Sequence, residues 1–144
     1  MPSNQINDLT YQVAPIGRIV SPLRDRISAP KQGYEGSPVA WLHLNESMRP
    51  ALADLQPGDE IIVVTWLDRS DRSVLSVHPR GDRTKPLKGV FSTRSPSRPN
   101  PIGLHRVRIR AIVDTVRLEV DNLEAFDGTP IIDIKPVLTD VADA

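Results

Sequence analysis

Three short segments carry the residue types able to bind or react: Pro30-Lys31-Gln32, the stretch from Arg94 to Gly103, and Asp127-Gly128-Thr129-Pro130. In the second, Pro96, Pro99 and Pro101 fix their own φ and push Ser95, Arg98 and Asn100 out of the helical region, so the stretch is a stiff, extended loop. Stiffness around two cations, Arg94 and Arg98, and several hydroxyls presents charge and hydrogen-bond donors to an anionic or polar partner at low entropic cost. A plain proline-rich connector has the same composition. Asp127-Gly128 also reads as a hairpin turn and Lys31 as a solvated side chain. Taken together, three polar loops shaped by proline or glycine are how binding sites are set on a rigid frame.

Several chemistries are absent. The chain has no cysteine, which removes disulfides, thiol catalysis and Cys-ligated zinc. His43, His78 and His105 are far apart in sequence and in no metal-ligand spacing, so structural or surface roles are expected for them and no metal is expected. Neither a glycine-rich dinucleotide loop nor a phosphate-loop motif is present, and no serine sits in a nucleophile elbow. Met1 to Gln12 is polar and no apolar run is long enough to span a membrane, so a cytoplasmic protein is expected.

The elements that must hold these loops are short strands. At 144 residues with 39% apolar and 25% charged residues the chain reads as one globular domain, its core at about residues 15–136. Tyr11 to Val20, Val39 to Leu44, Ile61 to Leu67 and Val74 to Val77 read as strands, and Ser47 to Leu55 as the one plausible helix. Between the first two strands lies a long polar loop holding Pro30, Lys31 and Gln32, and loops of that length are usually functional or mobile. Leu123 to Phe126 and Ile131 to Ile134 read as a hairpin around Asp127-Gly128. Six to eight strands and almost no helix indicate an all-β fold, a small barrel or sandwich.

Charge is balanced in sum but not along the chain. From His78 to Arg110 there are nine Lys or Arg and one acid, whereas from Ala111 to Ala144 there are eight acids and two basic residues. Alternation over Leu104 to Asp121 predicts a hairpin turning at Asp114-Thr115. Its register sets Ile109 opposite Val120 and Ala111 opposite Leu118 on the dry face, and Arg110 opposite Glu119 and Arg108 opposite Asp121 on the wet one. Opposed charges contribute a few tenths to about 1 kcal/mol each, so much of the basic patch is expected to be neutralised within the hairpin.

The strings GVFSTRSPSRPNPIGL and AFDGTPIIDIKP, with PIGRIVSP near the start and PKQ after it, closely resemble the TrmO (TsaA-like) family over about Pro15 to Pro136. The resemblance implies a small single-domain β-barrel with one short helix and long functional loops. It implies an S-adenosyl-L-methionine-dependent methyltransferase that acts on N6 of threonylcarbamoyladenosine beside the anticodon of tRNA, with the cofactor site between two subunits of a homodimer. Carried over by position, the cofactor-binding residues are Pro30, Lys31, Gln32, Leu67, Asp68, Arg94, Leu104, Asp127, Gly128, Thr129 and Pro130. Arg98, Asn100 and Lys88 are candidates for the RNA substrate, and no catalytic base is identified.

The chain departs from the family pattern in reading Leu67-Asp68 where a His is common, Ser97 for an aromatic residue, and Val137 for Tyr. Longer members continue into a second domain thought to help hold tRNA, and this chain ends at Ala144. Two alternatives therefore stand beside tRNA methylation: the same fold with another methyl acceptor, and a non-enzymatic RNA-binding barrel resting on Arg80, Arg83, Lys85, Lys88, Arg94 and Arg98.

Overall fold

The computed structural model describes residues 9–22 and 39–138. Six strands close into a barrel in the order β1 (Gly17–Val20), β2 (Ala40–Leu44), β7 (Arg117–Val120), β6 (Ile102–Val113), β3 (Glu60–Trp66) and β8 (Pro130–Pro136). A two-stranded ribbon of β4 (Ser76–Val77) and β5 (Lys88–Gly89) stands apart from it. Every pairing is antiparallel. Closure leaves no edge strand in the barrel.

Alternation explains the interior. In β3, Ile61, Val63 and Thr65 are buried while the residues between them are not, and Ile19, Leu42, Val107, Ile109, Leu118, Val120 and Ile131 complete the core. Each such Leu, Ile or Val contributes roughly 1.5–3 kcal/mol by burial. The expected buried run Ile61 to Leu67 is therefore a strand with one dry face.

The antiparallel order puts the connections at two ends. β1, β3 and β7 run toward one end, and β2, β6 and β8 start from it. This loop end carries the β3–β6 connection (67–101) and the β7–β8 connection (121–129), and residues 22 and 39, which bracket 23–38, also fall there. The other, the hairpin end, carries the β2–β3 connection (45–59) and the β6–β7 turn (114–116).

Several expectations are corrected. Only Gly17–Val20 of the first predicted strand pairs, and Tyr11 and Val13 are exposed. The helix is a 3-10 helix over Glu46–Leu52 that contains Pro50, whose ring and missing N–H disfavour a longer α-helix. Leu123 to Phe126 forms no strand: Leu123 and Ala125 are buried in the core, and β8 pairs with β3 and β1 instead.

In the long hairpin Ile109 faces Val120 as expected, but a bulge at Arg110 shifts the rest, so that Ile112, not Ala111, faces Leu118. The bulge absorbs the odd residue of a three-residue turn, turns Ile112 onto the core and leaves Val113 exposed. Arg110 stands 4.0 Å from Glu119, and the Arg108 backbone N–H donates to Asp121 Oδ1 at 2.9 Å. The guanidinium groups of Arg106 and Arg108 turn to Glu60 on β3, at 2.9 and 3.0 Å. These two cations hold the Glu60 carboxyl below its ordinary pKa.

Candidate functional site

The loop end gathers the described part of the predicted site, because its segments are tied to one another. Leu67 and Asp68 follow β3 directly, and the Leu67 N–H donates to the Pro101 carbonyl at 2.7 Å. Arg69 lies over the Phe126 ring at 4.1 Å, linking the β3–β6 connection to the β7–β8 connection. Pro30, Lys31 and Gln32 lie outside the described residues.

The proline loop is held by its own arginines. Arg98 donates to the carbonyls of Val90, Thr93 and Ser95 at 2.8, 3.2 and 3.2 Å. Arg72 donates to the Pro99 carbonyl at 2.7 Å and to Asn100 Oδ1 at 3.1 Å, and lies over Trp66 at 5.2 Å. Carbonyls that no ladder satisfies thus receive charge-assisted bonds. Arg94 is exposed and, among the described residues, makes no hydrogen bond or ion pair. The two loop cations that look equivalent in sequence differ: Arg98 holds the loop and Arg94 points its charge outward. Asn100 is likewise engaged by Arg72, whereas Lys88 is exposed.

The Asp127 turn is locked to β1. Gly128 adopts φ +85°, a left-handed conformation that other residues rarely take. Its N–H donates to the Ile19 carbonyl at 2.7 Å, and the Ser21 N–H donates to Asp127 Oδ1 at 2.9 Å. The buried Thr129 hydroxyl donates to the Phe126 carbonyl at 2.7 Å. Asp127 and Thr129 therefore fix the turn's shape, leaving Pro130 to begin β8.

Beneath these loops is a polar cluster that spacing between histidines did not reveal. His105 shares the phase of Val107 and Ile109, so its ring enters the barrel wall beside Thr65, with Nε2 2.9 Å from Thr65 Oγ1. Burial pushes its pKa down to about 4, so the ring is neutral near pH 7. Gly103 sits against both: a Cβ there would meet Thr65 Oγ1 at 2.5 Å, His105 Nε2 at 2.9 Å and Leu67 Cδ1 at 3.3 Å. The alternation of β6 was the available signal. Gly103, Thr65 and His105 join β3 to β6 where Leu67 and Leu104 emerge, and Leu104 is 53% exposed on the outer face.

The donor set suits S-adenosylmethionine. Its amino-acid carboxylate asks for a cation, which Arg94 offers without a competing partner; its ribose and amine groups ask for acceptors, and the exposed Asp68 carboxylate is one. Its adenine asks for apolar surface, which Leu104 and the 80%-exposed Phe91 present. Among the described residues no group of three or more His, Asp or Glu is placed to hold a metal, and no helix is long and apolar enough to cross a membrane.

Comparison with known proteins gives the family. Residues 18–143 match the model of the tRNA-methyltransferase O N-terminal domain. A probable S-adenosyl-L-methionine-binding protein of Methanothermobacter thermautotrophicus is 40% identical over 136 residues, covering 94% of this chain and 96% of the relative. The Escherichia coli tRNA (adenine(37)-N6)-methyltransferase is 34% identical, covering 90% of this chain but 58% of that protein. The crystal structure of TrmO from Pseudomonas aeruginosa superposes with a TM-score of 0.72 at 29% identity, over 94% of this chain and 61% of that one. The chain thus spans less than two thirds of these longer proteins. On the family match, the sequence likeness and the shared fold together, this chain belongs to the tRNA-methyltransferase O N-terminal domain family and is an S-adenosylmethionine-dependent methyltransferase of that kind.

Proposed function

We propose that this protein transfers the methyl group of S-adenosylmethionine to N6 of the adenosine beside the anticodon of tRNA, the threonylcarbamoyl form of that base being the acceptor. The observation that carries this reading is that the connections holding Leu67-Asp68, Arg94 and Asp127 fall at one barrel end, with the Arg94 guanidinium unpartnered among the described residues. The name of the E. coli relative supports adenine N6 of a tRNA as the acceptor.

When bound, the cofactor supplies an electrophilic methyl on a sulfonium whose departure as a neutral thioether needs no proton. What remains for the chain is positioning, which can supply much of the barrier reduction. Arg94 binds the carboxylate, the turn at Gly128 sets the rim, and the loop held by Arg72 and Arg98 keeps these groups from moving. The acceptor nitrogen forms the new N–C bond as the S–CH3 bond breaks, and releases its proton to solvent. Pro30, Lys31 and Gln32 complete the cofactor contacts, and Arg98, Asn100 and Lys88 lie on the RNA side. Our reading also includes a cytoplasmic homodimer in which one subunit's loops complete the other's site.

Incubation of the purified protein with S-adenosylmethionine and tRNA carrying threonylcarbamoyladenosine, followed by mass spectrometry of the nucleosides, tests the proposal. A mass gain of one methyl on that nucleoside is expected. Methylation of a different nucleoside, or of none under conditions where the cofactor binds, overturns the assignment of the acceptor.

A further inference from the structure

On the outer wall of the barrel, Val113, Arg117, His43 and Arg18 stand directly opposite one another across β6, β7, β2 and β1. Strand alternation turns all four away from the core. Trp41, two residues before His43 on β2, shares that face at the start of the strand, next to the loop end. Trp41, His43, Val113 and Arg117 line a hollow of about 170 Å³, a volume of the order that holds one aromatic ring.

The charges of this row are unusual for the molecule. Most arginines on the barrel strands have acidic partners: Arg106 and Arg108 pair with Glu60, and Arg110 stands by Glu119. Arg18 and Arg117 have no hydrogen-bond or ion-pair partner among the described residues. Both act on the imidazole between them, whose pKa is lowered by burial first and then by Arg117 and Arg18, so the row carries its positive charge on the two guanidiniums. Glu119, opposite Trp41, faces Arg110, and Asp114, which follows Val113, pairs with Arg49. With no net charge on the chain as a whole, two unpaired cations two strands apart, roughly 10 Å, form a local feature.

We propose that this wall is a docking site for single-stranded or looped RNA, with one base stacked on Trp41 in the hollow and neighbouring phosphates on Arg18 and Arg117. A half-buried indole lining a hollow, beside cations that have no partner among the described residues, is a combination that holds unpaired nucleotides, because stacking tolerates any base while phosphates supply charge. The row lies at the hairpin end of the wall, beside the β6–β7 turn, and Trp41 stands on its loop-end side, so a strand held along β2 from the row past Trp41 leads toward the methyl-transfer site. This inference rests on the reading of the protein as an RNA methyltransferase, and it goes beyond that reading by placing part of the RNA on a wall distinct from the cofactor loops.

The test uses a fluorescein-labelled RNA hairpin of anticodon-arm sequence, with binding measured by anisotropy over a series of KCl concentrations. Parent protein is compared with Arg18→Gln/Arg117→Gln and with Trp41→Leu, and S-adenosylmethionine binding is measured on each as a check that the loop end is intact. The double variant should bind RNA about tenfold or more weakly at low salt, with the slope of log K against log salt shallower by about two. Trp41→Leu should lose about fivefold or more with the slope unchanged. RNA affinity and slope equal to the parent's in the double variant would overturn the docking site while leaving the methyltransferase reading intact. A parent that binds cofactor but not the hairpin would overturn both. Loss of a parent dimer in the double variant, with RNA binding unchanged, would instead assign the wall to a second copy of the chain and overturn the proposal.

Discussion

The two ends of the barrel are closed by the same strands but built to different rules. At the hairpin end the chain turns in three residues between β6 and β7, and Arg49 reaches across from the 3-10 helix to the Asp114 carbonyl and carboxylate at 3.1 and 3.2 Å. Arg49 pairs there with Glu46 as well as with Asp114. At the loop end, one connection alone runs from 67 to 101, cations are spent on bare carbonyls, and Arg94 is left over. A fold can close a barrel with a tight turn, so the long connections at the other end answer to something besides closure. The difference assigns cofactor binding to the loop end and tight closure to the other.

That contrast breaks first at Gly103. Adding a methyl group in Gly103→Ala forces it against Thr65 and His105, and overpacking of this kind costs about 1–3 kcal/mol. Chemical denaturation should show the loss, together with weaker cofactor binding because Leu67 and Leu104 shift. A variant as stable as the parent would mean that the joint between β3 and β6 is not tight.

Acidification gives a smaller effect with a definite sign. Because the folded-state pKa of His105 is depressed to about 4 from 6.5, the unfolded chain takes up a proton between these values and the folded chain does not. The stability present above pH 6.5 is lost as pH falls toward 4 and then levels off. An edge of the residue is accessible to solvent, so the expected loss between pH 7 and pH 5 is about 1–2 kcal/mol rather than the full shift at 1.36 kcal/mol per unit. The non-titrating His105→Gln should show a flatter profile over that range. Parallel profiles for the two proteins would remove His105 as the cause.

The smallest effect is expected at the opposite end. Thr115 holds φ +62° in the β6–β7 turn, an uncommon conformation for a β-branched residue. Thr115→Gly should raise stability by about 0.5–1 kcal/mol and leave cofactor affinity unchanged. A change in affinity would show that the two ends are coupled.

How legible each region was in the sequence follows from the range of its interactions. The dry and wet faces of β6 and β7 were legible because alternation is local, and Ile109 opposite Val120 follows from it. The bulge at Arg110 was not, since nothing in the sequence marks the odd residue of a three-residue turn. Leu123 and Ala125 imitate a strand by alternation, but they enter the core as the chain crosses the barrel end, and β8 finds its partners in β1 and β3, which lie far away in sequence. In the proline loop, residue types gave the cations and the lack of helix or strand over residues 94–101, whereas Ile102 and Gly103, expected in the loop, join β6. Residue types could not separate Arg98 from Arg94, because that distinction depends on which backbone carbonyls the fold leaves without a ladder partner. His105 was set aside for want of a second metal ligand, although its phase with Val107 already placed it on the inner face.

The most direct test is isothermal titration of S-adenosylmethionine into the parent, Arg94→Gln and Arg98→Gln proteins, with the thermal midpoint recorded for each. The account predicts that Arg94→Gln loses about tenfold or more in affinity, the scale of a charge-assisted hydrogen bond of about 1.5–3 kcal/mol, without a change in midpoint. Arg98→Gln should instead lower the midpoint first. Parental affinity in Arg94→Gln would contradict the assignment of the unpartnered guanidinium at the loop end as the anchor of the cofactor.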